Sequence, residues 1–268
     1  MQPPPSPLHT HTFAPPDSAL PTVVCLHGFL GDGTDWSPLA AALATTANVV
    51  AIDLPGHGHS PLPPTPLSLA AAAAAVDATV RALGLSTASL LGYSMGGRVA
   101  LAAALARLPW IDALILESAS PGLADPAARA ARRAHDDAIA AHLLTAGTAA
   151  FLDRWYAQPL FASLAARSDL LAACVAARAA LAPATVARVL VELSPGLLPS
   201  ALDALPTLTL PTLIIAGALD PKYVAISADL AARLPTAARW VCPAAGHNVH
   251  LEAPAPFAAR LGAFLEGE

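Results

Sequence analysis

Charge is scarce in this chain: Asp, Glu, Lys and Arg together make up 12% of its 268 residues. Lysine is scarcest, because Lys222 is the single lysine among 14 cations and the rest are arginine. The net charge is −5. A phosphate backbone needs clustered cations, so this balance argues against a nucleic-acid partner. Cysteine is nearly as rare. Cys25, Cys174 and Cys242 are scattered without metal-ligand spacing, which argues against a disulfide frame or a zinc site. Long unbroken apolar runs are missing too, although 55% of the residues are hydrophobic and mean hydropathy is +0.55. Alanine carries most of that excess, and alanine forms helices rather than filling bilayers. The uncharged stretch from Leu54 to Val76 is broken by Pro55, Pro61, Pro63, Pro64 and Pro66. Trp36 to Ile52 contains Pro38 and Asn48 and falls short of the roughly 20 apolar residues a span needs. No membrane span is expected. The opening Met1-Gln-Pro-Pro-Pro has neither the basic nor the apolar region of a secretory signal, so the expected compartment is the cytoplasm.

What is present reads as α/β. Short apolar runs bounded by turn residues mark buried parallel strands at Pro21–Leu26, Asn48–Ile52, Ala88–Leu91, Ala113–Leu116, Thr212–Ala216 and Ala238–Val241. Alanine-rich helical stretches such as Leu69–Leu83 and Met95–Leu105 lie between most of them. Strand alternating with helix predicts a mostly parallel sheet covered on both faces. One connection breaks the rhythm. Ser118 to Pro211 holds only helix-like sequence, around 125–145, 147–156, 163–181 and 184–193, where a simple crossover needs about a dozen residues. The expectation is a core of 1–118 and 208–268 with a helical lid inserted at 119–207. The proline-rich first twenty residues read as an extended arm or a poorly formed first strand.

Chemistry concentrates at strand ends. Gly92-Tyr93-Ser94-Met95-Gly96 sits between an apolar run and a helical stretch, the setting of a nucleophile elbow. A phosphate cradle is the alternative for a glycine-rich turn before a helix, but the P-loop lysine and the third glycine of a dinucleotide fingerprint are absent. An elbow serine needs an acid and then a histidine, in that chain order. Asp220 follows one strand and His247 the next, at the carboxyl ends where open α/β sheets place their sites. His250 competes with His247 on composition, and Glu117 and Asp112 are weaker alternatives for the acid. His27-Gly28-Phe29 ends another strand, so the backbone N–H groups of Phe29 and Met95 are the expected oxyanion hole. Asp53 in Asp53-Leu-Pro-Gly-His-Gly58 reads as a hydrogen-bonding loop cap, with His57 and His59 as bystanders.

With these motifs on the page, the chain resembles α/β-hydrolase-fold proteins from Phe29 almost to its end. More narrowly it resembles the 2-succinyl-6-hydroxy-2,4-cyclohexadiene-1-carboxylate synthases of menaquinone biosynthesis. The selective features are Gly92-Tyr-Ser-Met-Gly-Gly-Arg98, Glu117-Ser-Ala-Ser-Pro-Gly-Leu123, Trp155-Tyr-Ala-Gln-Pro-Leu-Phe161, Gly217-Ala-Leu-Asp-Pro-Lys222 and Gly246-His-Asn-Val-His-Leu-Glu252. The resemblance implies a lyase that removes pyruvate from a cyclohexene precursor carrying several carboxylates. Arginine suits such a ligand, because the planar guanidinium grips a carboxylate with two N–H groups. Arg98 lies one helical turn from Ser94, on the same face. Arg98, Arg132 and Arg178 are therefore expected to bind substrate, with Trp155 and Tyr93 as further contacts. Arg129 and Arg133 read as solvated surface charge, and Tyr156 as lid core.

A hydrolase of esters, lactones or carbon–carbon bonds is the rival on the same fold, since one triad serves both chemistries. A non-catalytic binder of a small acidic ligand is the alternative of another class. The arginine set separates lyase from esterase, because a neutral ester has no use for three cations beside the nucleophile. No metal or organic cofactor is implied. The sequence leaves the oligomeric state open.

Overall fold

Apolar side chains that alternate along short runs, with helix-forming alanine between them, fold here into one sheet with helices on both faces. The computed structural model describes residues 6–14, 17, 19–197 and 200–267. Its strands are β1 (Thr10–Thr12), β2 (Thr22–Leu26), β3 (Asn48–Ile52), β4 (Ala88–Tyr93), β5 (Ile111–Glu117), β6 (Thr212–Gly217) and β7 (Ala237–Cys242). They lie in the order β1-β3-β2-β4-β5-β6-β7. Only β1 runs antiparallel, against β3. Every apolar run expected to be a strand is one. Of the two readings of the arm, the short first strand is the one found, since its Thr10–Thr12 segment closes one sheet edge; residues 1–5, 15, 16 and 18 of the arm lie outside the described residues.

The helices are α1 (Ser37–Ala42), α2 (Leu69–Ala82), α3 (Met95–Leu105), α4 (Pro126–Tyr156), α5 (Ala162–Ala165), α6 (Ser168–Arg178), α7 (Pro183–Glu192), α8 (Pro221–Arg233), α9 (Val249–Glu252) and α10 (Pro254–Leu265). Strand periodicity assigns the two faces. Val24, Leu26, Leu90, Leu114, Leu116 and Ile214 pack toward α2, α3 and α8. Val23, Cys25, Leu91, Ile115, Leu213 and Ile215 pack toward α1 and α10. Burial on both faces is why these strands read as continuous apolar runs rather than as alternating ones.

Helices α4 to α7 all fall between β5 and β6 and carry a core of their own, built around Leu143, Phe151, Leu152, Phe161, Leu164 and Val186. Leu30 and Phe29, from the loop after β2, pack into that core and seat the insertion over the carboxyl ends of the strands. The expected break between 125–145 and 147–156 falls at Gly147, whose φ of 81° interrupts α4. The stretch around 163–181 is not one helix. It divides at Arg167, which donates to the carbonyls of Glu252 and Ala244 and so ties the insertion to the end of α9 and to the loop that follows β7. Among the described residues no single helix is long and apolar enough to cross a membrane.

Candidate active site

Ser94 sits between β4 and α3 with φ 50° and ψ −104°, a conformation that lifts its side chain above the sheet edge. The glycines around it are there because there is no room for a Cβ. One at Gly92 would lie 2.4 Å from the carbonyl oxygen of Gly96, and one at Gly96 would lie 2.4 Å from that of Leu26. Three strand ends meet at this point. Ser94 Oγ lies 3.1 Å from His247 Nε2, and His247 Nδ1 lies 2.8 Å from Asp220 Oδ2. Asp220 also caps α8 by accepting the Tyr223 N–H, which fixes the carboxylate before it meets the imidazole. The rings of Tyr93, Phe161 and Tyr223 surround His247 with centroids 4.6 to 5.9 Å away. Asp220 and His247 are buried.

The loop that carries Phe29 is held by a second histidine. His27 Nδ1–H donates to the Gly28 carbonyl at 2.7 Å, and its Nε2 accepts the Leu54 N–H at 2.9 Å. That pairing requires a neutral ring, and burial lowers the His27 pKa below its ordinary value. His57 stands beside it, 4.8 Å between ring centroids, and burial pushes its pKa down to about 3. His57 therefore supports the loop from below instead of standing apart from it. Asp53 is the loop cap that the sequence suggested, accepting from Gly33 N–H and His59 N–H. Phe29 and Met95 both border the cavity above Ser94. Met95 opens α3, so its N–H is among the first four that find no acceptor within a helix.

The rival acids and the rival histidine have other partners. Glu117 bonds both Nδ1 and the backbone N–H of His250, and the pair is buried. His250 stacks on Trp36. Asp112 accepts from Thr87 and Ser89. Neither acid touches His247.

The expected arginines come together. Arg98, Arg132 and Arg178 border the same cavity as Ser94 and His247, although they lie on α3, α4 and α6. Arg98 donates to the Leu193 carbonyl, and burial lowers its pKa to about 10, which leaves it charged at neutral pH. Arg132 Nε reaches both oxygens of Asp136 at 2.9 Å. Arg178 pairs with Asp35 at 2.8 Å and donates to the Cys174 carbonyl, while its buried Nε has no partner among the described residues. Burial disfavours the Arg178 charge, but Asp35 outweighs it and the pKa is raised. Trp155 lies edge-on to Phe29 and stacks on Phe151, and it borders the cavity. Tyr156 is buried in the insertion core and also borders the same cavity. The Tyr93 hydroxyl donates to Asn248 Oδ1, so Tyr93 offers a ligand its ring more readily than its oxygen. Arg129 caps the start of α4 by donating to the Leu123 and Ala124 carbonyls.

Asp35, Asp136 and Asn248, which hold Arg178, Arg132 and Tyr93, are the residues that sequence reasoning missed, and Lys222 also borders the cavity. Asp136 follows Arg132 by four positions, a helix pairing that the spacing alone could have suggested. Asp35 and Arg178 are 143 positions apart, and no spacing signals them. Among the described residues the one grouping of three potential metal ligands, His9, His11 and Asp53, lies outside this cavity.

A parallel sheet with one antiparallel edge strand, a serine on a strained strand–helix turn and a buried His–Asp pair define an α/β-hydrolase-fold protein. Residues 23–260 match the alpha/beta hydrolase family. The chain is 37% identical to the 2-succinyl-6-hydroxy-2,4-cyclohexadiene-1-carboxylate synthase of Serratia proteamaculans (strain 568), over 91% of its own length and 93% of that protein. It is 34% identical to the synthase of the same name from Salmonella arizonae, over 92% and 94%. MenH from S. aureus superimposes with a TM-score of 0.92 at 31% identity, covering 96% of this chain and 98% of that one. The chain belongs to the 2-succinyl-6-hydroxy-2,4-cyclohexadiene-1-carboxylate synthase family.

Proposed function

We propose that this protein eliminates pyruvate from 2-succinyl-5-enolpyruvyl-6-hydroxy-3-cyclohexene-1-carboxylate, giving 2-succinyl-6-hydroxy-2,4-cyclohexadiene-1-carboxylate for menaquinone synthesis. One observation carries it: three arginines from three helices border the cavity that holds the Ser94–His247–Asp220 chain. Arg98, Arg132 and Arg178 take the succinyl, ring and enolpyruvyl carboxylates. Arg132 and Arg178 already hold Asp136 and Asp35, which fixes their planes and leaves other N–H groups of each fork to meet the ligand. Trp155 and the Tyr93 ring pack on the carbocycle.

In the reaction, His247 accepts the Ser94 hydroxyl proton as Ser94 Oγ takes a carbon-bound proton from the ring. The released electron pair forms a double bond to the adjacent ring carbon, the existing ring double bond shifts by one position and breaks the carbon–oxygen bond, and the departing pyruvate enolate regains a proton from His247 as it becomes pyruvate. The backbone N–H groups of Phe29 and Met95 stabilise the developing oxyanion. Asp220 stabilises the imidazolium and fixes its tautomer. No acyl-enzyme forms. The ligand is a small polycarboxylate, and the three buried free cysteines suit the reducing cytoplasm.

The cavity above Ser94 measures about 110 Å³, whereas ligand sites usually enclose ~300 Å³ or more. Entry therefore opens the 119–207 lid, and closure over the ligand excludes water and strengthens each arginine–carboxylate contact. The test is to supply the enolpyruvyl precursor and follow pyruvate with a coupled dehydrogenase. Stoichiometric pyruvate and cyclohexadiene support the reading. Turnover of neutral esters with no pyruvate release would replace it with a hydrolase.

A further inference from the structure

We infer that His9, His11 and Asp53 form a binding site for one divalent transition-metal ion of the zinc class, outside the active site and stapling edge strand β1 to β3. The strand register builds it. Thr10 pairs with Ile52 and His11 with Ala51, and Asp53 N–H donates to the His9 carbonyl. His9 therefore lies opposite Asp53, and strand alternation puts His11 on the same face two residues on. The ligand atoms of all three residues fall within 4.8 Å of one another. At tetrahedral angles, bonds of about 2.0–2.2 Å to a zinc-class ion place two ligand atoms roughly 3.4 Å apart, so rotation of the exposed His9 ring toward the His11–Asp53 pair completes the set.

Two of the three ligands are already fixed. Asp53 is fully buried. It accepts from Gly33 N–H and His11 Nε2 through Oδ1, and from His59 N–H through Oδ2. The His11 ring lies against Gly33, where a Cβ would meet it at 2.2 Å. The backbone of His9 is anchored as well, by its N–H to Ser60 Oγ. Its ring nitrogens have no hydrogen-bond partner among the described residues, and the ring of His59 stands 4.8 Å from it as a candidate fourth ligand. Imidazoles with one carboxylate suit zinc, nickel or copper rather than magnesium or calcium, which take oxygen ligands. The ion would enter between His11 Nε2 and Asp53 Oδ1 with the His11 proton shifted to Nδ1.

The test uses the full chain without a histidine tag, stripped with EDTA and titrated calorimetrically with zinc chloride at pH 7.5. One equivalent should bind, and Tm should rise with zinc concentration as a ligand of the folded state requires. His9→Ala, an exposed side chain, should weaken binding by at least about tenfold and leave the metal-free Tm unchanged. His135→Ala, on the lid, should do neither. Magnesium chloride should give no Tm rise. Absence of saturable zinc binding overturns the proposal, and so does binding that survives His9→Ala or is lost with His135→Ala.

Discussion

Replacing Ser94 by glycine should remove activity and yet leave a more stable protein than replacing it by alanine. At φ 50° and ψ −104°, Ser94 lies outside even the left-handed helical well, where ψ is +30 to +60°. Such a backbone costs a non-glycine residue about 1–3 kcal/mol. Ser94→Ala keeps that cost because alanine keeps the Cβ, whereas Ser94→Gly removes it. Glycine in turn pays about 0.5–1 kcal/mol in unfolded-state entropy. Both variants lose the contact with His247 equally, so that term cancels. The difference favours glycine by about 1 kcal/mol, the reverse of the order at an ordinary position. With an unfolding entropy near 2.1 cal/mol/K per residue, 268 residues turn that into about 2 °C in Tm. Urea midpoints and calorimetry on the two variants, side by side, provide the readout. An alanine variant as stable as the glycine variant, or more so, would refute the claim that the turn is strained.

Arg98→Ala, Arg132→Ala and Arg178→Ala should each raise KM by about 10- to 100-fold, the loss of one charge-assisted contact of roughly 1.5–3 kcal/mol. Lysine should rescue only partly, for want of the fork, and wild-type kinetics in all three alanine variants would return them to surface charge. Hydrogen exchange across 119–207 should slow when product binds, and equal protection with and without saturating product would argue against closure. Acid should destabilise the fold through His57, whose folded pKa is near 3 against about 6.5 unfolded. The unfolded chain binds the proton first, so the stability is complete above pH 6.5 and is lost as pH falls toward 3. At pH 5 the loss from His57 alone is about 2 kcal/mol, 1.5 units at 1.36 kcal/mol each. Urea titrations at pH 7.5 and pH 5 measure it, and a His57→Gln protein with the same acid sensitivity as wild type would contradict it.

The residues legible in advance were those whose chemistry is local. Gly92-Tyr-Ser-Met-Gly96 is a short motif legible as it stands, although only Gly92 is demanded by atoms a few positions away and Gly96 by the Leu26 carbonyl on a distant strand. Asp220 and His247 follow from strand ends, which short apolar runs mark well. Helical spacing places Arg98 beside Ser94, while the substrate-binding role of Arg98, Arg132 and Arg178 came from the family resemblance. What escaped depends on distant chain segments meeting. Asp35 on Arg178, Glu117 on His250 and Asn248 under Tyr93 are separated by more than 130 positions, and none has a spacing rule. β1 was legible only as an arm or a poorly formed strand, for another reason. Its three residues are too few for periodicity, and its pairing with β3 depends on register that only the sheet reveals.

The most direct test of the account is rapid quenching of the wild-type protein during turnover of the enolpyruvyl precursor, followed by intact-protein mass spectrometry. With Ser94 acting as a base, the protein mass stays unmodified at every time point while pyruvate accumulates. Ser94→Ala, His247→Ala and Asp220→Asn each lose orders of magnitude in kcat, and double variants lose little beyond the worst single one. A substrate fragment bonded to Ser94 that forms and decays as fast as the protein turns over would contradict the base role and make Ser94 a nucleophile.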